Sequence, residues 1–210
     1  MAADLTSRMV YLLGELRREM NGAVSDSMRY FGTRYGLNYG VSLPTIRTIA
    51  SKEPANNDLA LYLLKQDVRE LRLAALHIAE PSHFEESKEL WQRGITTSEI
   101  AEEMAFALLS KISAFDDIYK EWSASTDELI VYAALMAAAR QKHSIKTHIL
   151  TLPNIIGRHP NSRLVAQGVI AMLSAVLAEN LKEQVQSVLH TLPHCKAQEY
   201  ISDEMSWRME

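Results

Sequence analysis

The sequence predicts an all-α protein, a right-handed α-solenoid in which pairs of helices stack one on the next. Apolar residues recur at helical spacing through nearly all of the 210-residue chain, and no period-two run of any length suggests a strand. Only 8 Gly and 6 Pro interrupt it, too few for long loops. Four mid-helix windows set a small residue directly before an aliphatic one: Ala75-Leu76, Ala107-Leu108, Ala134-Leu135 and Gly168-Val169. They recur about every thirty residues, each followed by a second, shorter helix, as in arrays where one helix pair buries its face on the next.

In chain order, Met9, Leu12, Leu13, Leu16 and Met20 make the stripe of a first helix, which Asn21-Gly22 ends. A second carries Val24, Met28, Tyr30 and Phe31. The Gly-rich stretch 32–40 fits neither a P-loop nor a dinucleotide fingerprint and reads as a turn. Ser42 caps a helix with Pro44 in its first turn and Ile46, Ile49 and Ala50 on its apolar face. Leu59, Leu61, Tyr62, Leu63 and Leu64 fill the next. Asp67 opens a helix over 68–79, and Pro81 closes it. Ser82 with Glu85 forms a capping box for the helix through Leu90 and Trp91, which ends near Gly94.

The stretch 96–112 organises the functional reading. Thr96 with Glu99 is a second capping box, and Ile100, Met104, Ala107, Leu108 and Ile112 form one stripe. Glu99, Glu102 and Glu103 fall in the first two turns, where carboxylates suit the positive end of the helix dipole. They are solvated dipole partners, or Glu102 lines a groove and does chemistry. Asp116-Asp117 caps a short helix over 118–122, and helices follow over 127–140, 146–156, 163–177 and 181–189, with a last segment to Glu210. This predicts an N-terminal helical cap over 1–54, repeats over 55–192 and a C-terminal helical segment over 193–210.

Composition narrows the function. A net charge of −4 argues against a dedicated nucleic-acid binder yet permits a local basic groove. The cations that could line one are Arg29, Arg34, Arg47, Arg69, Arg72, Arg140, Lys142, Lys146, Arg158 and Arg163, with Arg140, Lys142, His143 and Lys146 the densest cluster. No apolar run reaches a membrane span, and the start Met1-Ala2-Ala3-Asp4 lacks signal-peptide blocks. Cys195 is the single cysteine, which suits a reducing, cytoplasmic setting. His190, His194 and Cys195 are metal-type residues, but Pro193 disturbs their common face and no fourth ligand is evident, so neither a metal nor a cofactor is expected. No Gly-x-Ser-x-Gly elbow occurs, and Met104, Met136 and Met172 read as core filler.

Met28-Arg29-Tyr30-Phe31 with residues 37–47, then residues 69–76, then residues 122–127 leading to Ala133-Ala134-Leu135, together resemble the HEAT-like-repeat DNA alkylation repair family, the alkylpurine glycosylases. Met28-Arg29-Tyr30-Phe31 followed by residues 37–47 resembles its N-terminal block, a Met-x-x-Tyr helix leading through a Gly-containing turn to a Pro-x-x-Arg helix. Residues 69–76 resemble its next helix, and residues 122–127 leading to Ala133-Ala134-Leu135 resemble the block before its arginine helix. The likeness runs over 28–177 and rests on the order and spacing of these blocks. It implies HEAT-like helix pairs whose concave face binds duplex DNA, and cofactor-free excision of cationic N3- and N7-alkylpurines. There a carboxylate stabilises the developing sugar cation, two tryptophans contact the deoxyribose and an arginine holds phosphate.

Residue by residue, the resemblance places the family carboxylate on Glu102 and its tyrosine on Tyr30. The tryptophan positions fall on Ser98 and Ala171, and the arginine position falls on Tyr132. The expected site is therefore Glu102 and Tyr30 for catalysis, with Tyr132, Arg140, Lys142, Lys146, Arg158, Arg163 and Arg47 on DNA. With both tryptophans and the arginine replaced, glycosylase activity is expected to be weak or lost. The alternative is a non-enzymatic scaffold that binds a protein partner. The chain is expected to act as a monomer.

Overall fold

The computed structural model describes residues 2–32, 35–141 and 144–209, and helices account for nearly all of its regular structure. The one β feature among these residues is an isolated parallel bridge between Leu37 and Val68. The chain divides into two units, residues 1–103 and 104–210.

In the first unit lie α1 (Ala2–Arg18), α2 (Gly22–Tyr30), α3 (Leu43–Ala50), α4 (Asn57–Leu64), α5 (Arg69–Ile78) and α6 (Lys88–Gly94). Helix α7 (Ser98–Ala107) begins here and runs past the division. Helix α5 packs on α3 and α4, and α1 lies against the same set. Leu12, Leu16, Ile46, Leu59, Leu63, Leu71, Leu73 and Trp91 fill the space between them, all shut off from water. Ser42 caps α3 as its sequence predicts, its hydroxyl accepting from the Thr45 amide, with Pro44 in the first turn.

Residues 37–41 tie α2 to α5. Leu37 exchanges backbone bonds with Asp67 and Arg69, and the Asn21 amide, at the start of α2, donates to the Tyr39 carbonyl at 2.8 Å. Gly40 makes this approach possible. Its φ is +69°, and a Cβ there would stand 2.1 Å from the Asn21 carbonyl oxygen.

The second unit holds α8 (Phe115–Trp122), α9 (Glu128–Ala138), α10 (Ile145–His148), α11 (Leu152–Arg158), α12 (Arg163–Leu177), α13 (Lys182–Thr191) and α14 (Lys196–Met209). Helix α12 is its spine, packed on α9 and α14. Asp127 caps α9 through the Leu129 amide, and Ser162 caps α12 through the Val165 amide. At the α9–α12 crossing, Gly168 meets Leu135 and Tyr132, and a Cβ on Gly168 would lie 2.9 Å from the Leu135 Cβ. Trp122 is sealed into this core with Phe115, Leu135 and Leu173.

Several helix boundaries differ from those expected, some because tertiary partners take the residues concerned. Thr97 rather than Thr96 accepts from the Ile100 amide at the start of α7. Thr96 accepts from Arg72, and Glu99 turns to Arg69. Helix α5 starts at Arg69 after Val68, which the bridge to Leu37 holds extended. Residues 81–83 and 85–87 form two 3-10 turns instead of a capped α-helical entry, the Ser82 hydroxyl lying by its neighbour His83. Asp116 and Asp117 sit inside the first turn of α8, which begins at Phe115. The helix expected over 146–156 breaks at a 3-10 turn, Ile149–Thr151, and restarts with Pro153 in its first turn.

Candidate nucleic-acid interface

In the first unit, three helices bring charged side chains together. Arg69, at the start of α5, is 3% exposed and donates in three directions. Its Nε meets Glu99 at 2.8 Å, its Nη2 meets the same carboxylate, and its Nη1 reaches the Val41 carbonyl and Glu70 at 2.9 and 3.0 Å. Glu70 in turn accepts from the Tyr39 and Val41 amides, so a buried ion pair holds the 37–41 connection. The Tyr35 hydroxyl donates to Glu99 at 2.6 Å and shares a 2.8 Å hydrogen bond with Thr97. Burial, then the Glu99 charge, pushes its pKa well above the ordinary value.

Farther along, Glu103 of α7 is almost fully buried and receives a bidentate Arg47 guanidinium at 2.8 and 2.7 Å. His77 of α5 meets the same carboxylate at 2.5 Å. Burial alone would raise the Glu103 pKa. The hydrogen bonds from His77 and Arg47 more than offset that and hold it at about 2.

The expected catalytic residues lie around this network rather than in it. Glu102 points to solvent, and Arg47 feels its charge as well as that of Glu103. Ser98, one turn earlier on α7, is also exposed. Tyr30 is 86% exposed at the end of α2. The guanidinium fork of Arg47, expected on DNA, is occupied by Glu103. Arg69 and Arg72 are held inside the unit in the same way, Arg72 by the Gln66 carbonyl and Asp67.

In the second unit, Tyr132, expected on DNA, is 6% exposed and packs beside Gly168 in the core. Arg140, Lys146, Arg158 and Arg163 are exposed, as a phosphate-contacting set requires. The Arg140 guanidinium lies over the Phe106 ring at 5.7 Å and donates to the Met136 carbonyl at 2.7 Å, and the Arg163 guanidinium lies over the Tyr200 ring at 4.8 Å. Arg158 donates to the Ser123 carbonyl at the end of α8. Lys142, with His143, lies outside the described residues. Ala171 is half-buried on α12.

The unit also contains a cleft of about 480 Å³ between α8, α10 and α11. Asp116 accepts there from Ser144 and pairs with His148, both at 3.1 Å, and His148 stacks on Tyr119 with 3.9 Å between ring centroids. Burial pushes the Tyr119 phenol up to about 12, although its bond with Thr151 works the other way. Of the expected site residues that are described, Arg158 alone lines this cleft. Glu103 and Asp116 were read from sequence only as helix-terminal carboxylates, and His77, Tyr35 and His148 were given no role. Glu103 had one usable signal, a carboxylate in register with the apolar stripe that includes Ile100 and Met104. Among the described residues no three His, Cys, Asp or Glu side chains gather as a metal site, and no helix is long and apolar enough to cross a membrane.

A family profile described as DNA alkylation repair enzyme matches residues 12–192. Among curated proteins none gives a significant sequence match. A solved structure, described as a new family of proteins related to the HEAT-like repeat DNA glycosylases with affinity for branched DNA structures, superposes with a TM-score of 0.75. It is 18% identical, and the alignment covers 95% of this chain and 94% of the other. That likeness establishes the all-helical HEAT-like fold.

Proposed function

Because the chain belongs to the DNA alkylation repair enzyme family, we propose that it binds DNA, branched duplex ahead of linear, and excises alkylated purines weakly or not at all. The observation that carries this reading is the replacement of the family's helper residues. The resemblance carries the family carboxylate to Glu102, which is exposed, but its tryptophans to Ser98 and Ala171 and its arginine to Tyr132, which is buried. A cationic alkylpurine is already a good leaving group. Excision then needs negative charge at the forming sugar cation and a deoxyribose held rigidly against it. Glu102 offers the charge, and nothing at Ser98 or Ala171 offers the aromatic hold.

The DNA-binding part draws on the exposed Arg140, Lys146, Arg158 and Arg163. The preference for branches draws on the fold relative described as having affinity for branched DNA. The test titrates labelled linear duplex and a four-way junction at several salt concentrations, and in parallel assays methylpurine release from alkylated duplex with protein in excess. Tighter binding to the junction is expected, with little or no release. Removing Lys146 or Arg163 is expected to lower the salt slope by about 1 each, the mark of one lost phosphate contact. Strong release that Glu102→Gln abolishes would show a working glycosylase and overturn the second half of the proposal. Salt-insensitive or absent binding to both DNAs would overturn the first.

A further inference from the structure

Phe31 closes α2 with its backbone fixed and its ring in water. The Phe31 amide donates to the Ser27 carbonyl at 3.0 Å and the Gly32 amide to the Arg29 carbonyl at 3.1 Å, which ends the helix cleanly. Gly32, at φ +86°, then turns the chain away. The Phe31 ring is 79% exposed, beside a Tyr30 that is 86% exposed. The rings stand edge to face, with centroids 5.2 Å apart and planes at 86°. Tyr11 and Trp207 are exposed singly, whereas Tyr30 and Phe31 are two adjacent exposed rings in contact with each other. One ring braces the other through the favourable edge-to-face geometry, so the pair is stiff before anything binds.

A stiff, exposed π-face fits a flat π-partner better than an aliphatic one. A base unstacked at a DNA branch is such a partner, and stacking on it requires no particular base identity. The neighbouring Arg29 guanidinium is exposed and only loosely paired with Asp26 at 3.6 Å, leaving a cation beside the rings for a phosphate. Building on the DNA-binding reading above, we infer that Phe31, braced by Tyr30, stacks on an unpaired base at a DNA branch point. This contact is what separates branched from linear duplex.

The experiment compares Phe31→Ala, Phe31→Leu and Phe31→Trp with the unaltered chain, on a four-way junction and on linear duplex of the same length. Because the ring is exposed, all three variants should melt with the parent by circular dichroism. Junction affinity is expected to fall about tenfold in Phe31→Ala, the loss of one aromatic stack, while linear-duplex affinity stays put. Phe31→Trp should restore it, whereas Phe31→Leu, which keeps apolar bulk without a π-face, should not. Unchanged junction affinity in Phe31→Ala, an equal loss on both DNAs, or full rescue by Leu overturns the inference while DNA binding stands. A change in oligomeric state by sedimentation, with junction affinity intact, would overturn it in favour of a contact between copies of the chain. Failure of the unaltered protein to bind either DNA would remove the inference together with the reading it rests on.

Discussion

Glu103 sits behind Arg47 and His77 with its carboxylate nearly sealed from water. Its pKa of about 2, against an ordinary 4.5, means that the fold favours the ionised form. A depressed carboxylate contributes stability that is complete above its unfolded pKa and disappears as pH falls through the folded one. That window runs from about pH 4.5 down to about 2. Glu103→Gln is expected to cost on the order of 3 kcal/mol at pH 7 by urea unfolding. It should also flatten the acid limb of the stability profile, and a limb unchanged from the parent would show that Glu103 is not the group titrating there. Glu102, its exposed neighbour, should move stability little when changed to Gln, since surface charges seldom contribute much. The two adjacent glutamates thus separate a buried structural charge from an exposed one. Sequence alone could not separate them, because Glu103 is placed by Arg47 and His77, 56 and 26 positions away.

Among the elements, the α9–α12 crossing is the most sharply constrained. Gly168 lets α12 approach until its missing Cβ would fall 2.9 Å from both Cβ and Cδ1 of Leu135. Gly168→Ala should therefore lose about 1 to 3 kcal/mol by overpacking, despite the better helix propensity of alanine. Gly157, at which a Cβ would meet nothing within 4 Å, serves as the control, and Gly157→Ala should be neutral or slightly stabilising. Equal effects at the two positions would mean that propensity, not the crossing, decides. This contact was legible in the sequence as a small residue before an aliphatic one in mid-helix, as were the cap at Ser42 and the limits of α12. The start of α7 was not. Thr96 and Glu99 carry the spacing of a capping box, but Arg72 and Arg69 compete for them, and long-range charge outweighs a local motif worth about 1 kcal/mol.

For the molecule as a whole, helical periodicity was enough to give the class, and the family profile and the fold relative bear it out. The basic surface was harder to read. A list of cations says nothing of which ones the fold consumes, and here Arg47, Arg69 and Arg72 are held inside the first unit while Arg140, Lys146 and Arg163 face water. The 3 tryptophans of the chain are distributed to useful effect. Trp91 is buried in the first unit, Trp122 is buried in the second, and Trp207 is 78% exposed. Changing Trp207 to Phe would silence the solvent-facing emitter at little structural cost. The remaining fluorescence should be blue-shifted and should redden only when a core opens. Replacing Trp91 or Trp122 in turn by Phe then gives each half of the protein its own optical thermometer. Two coincident melting curves would mark one cooperative chain, and two separated curves a protein whose halves answer to heat independently.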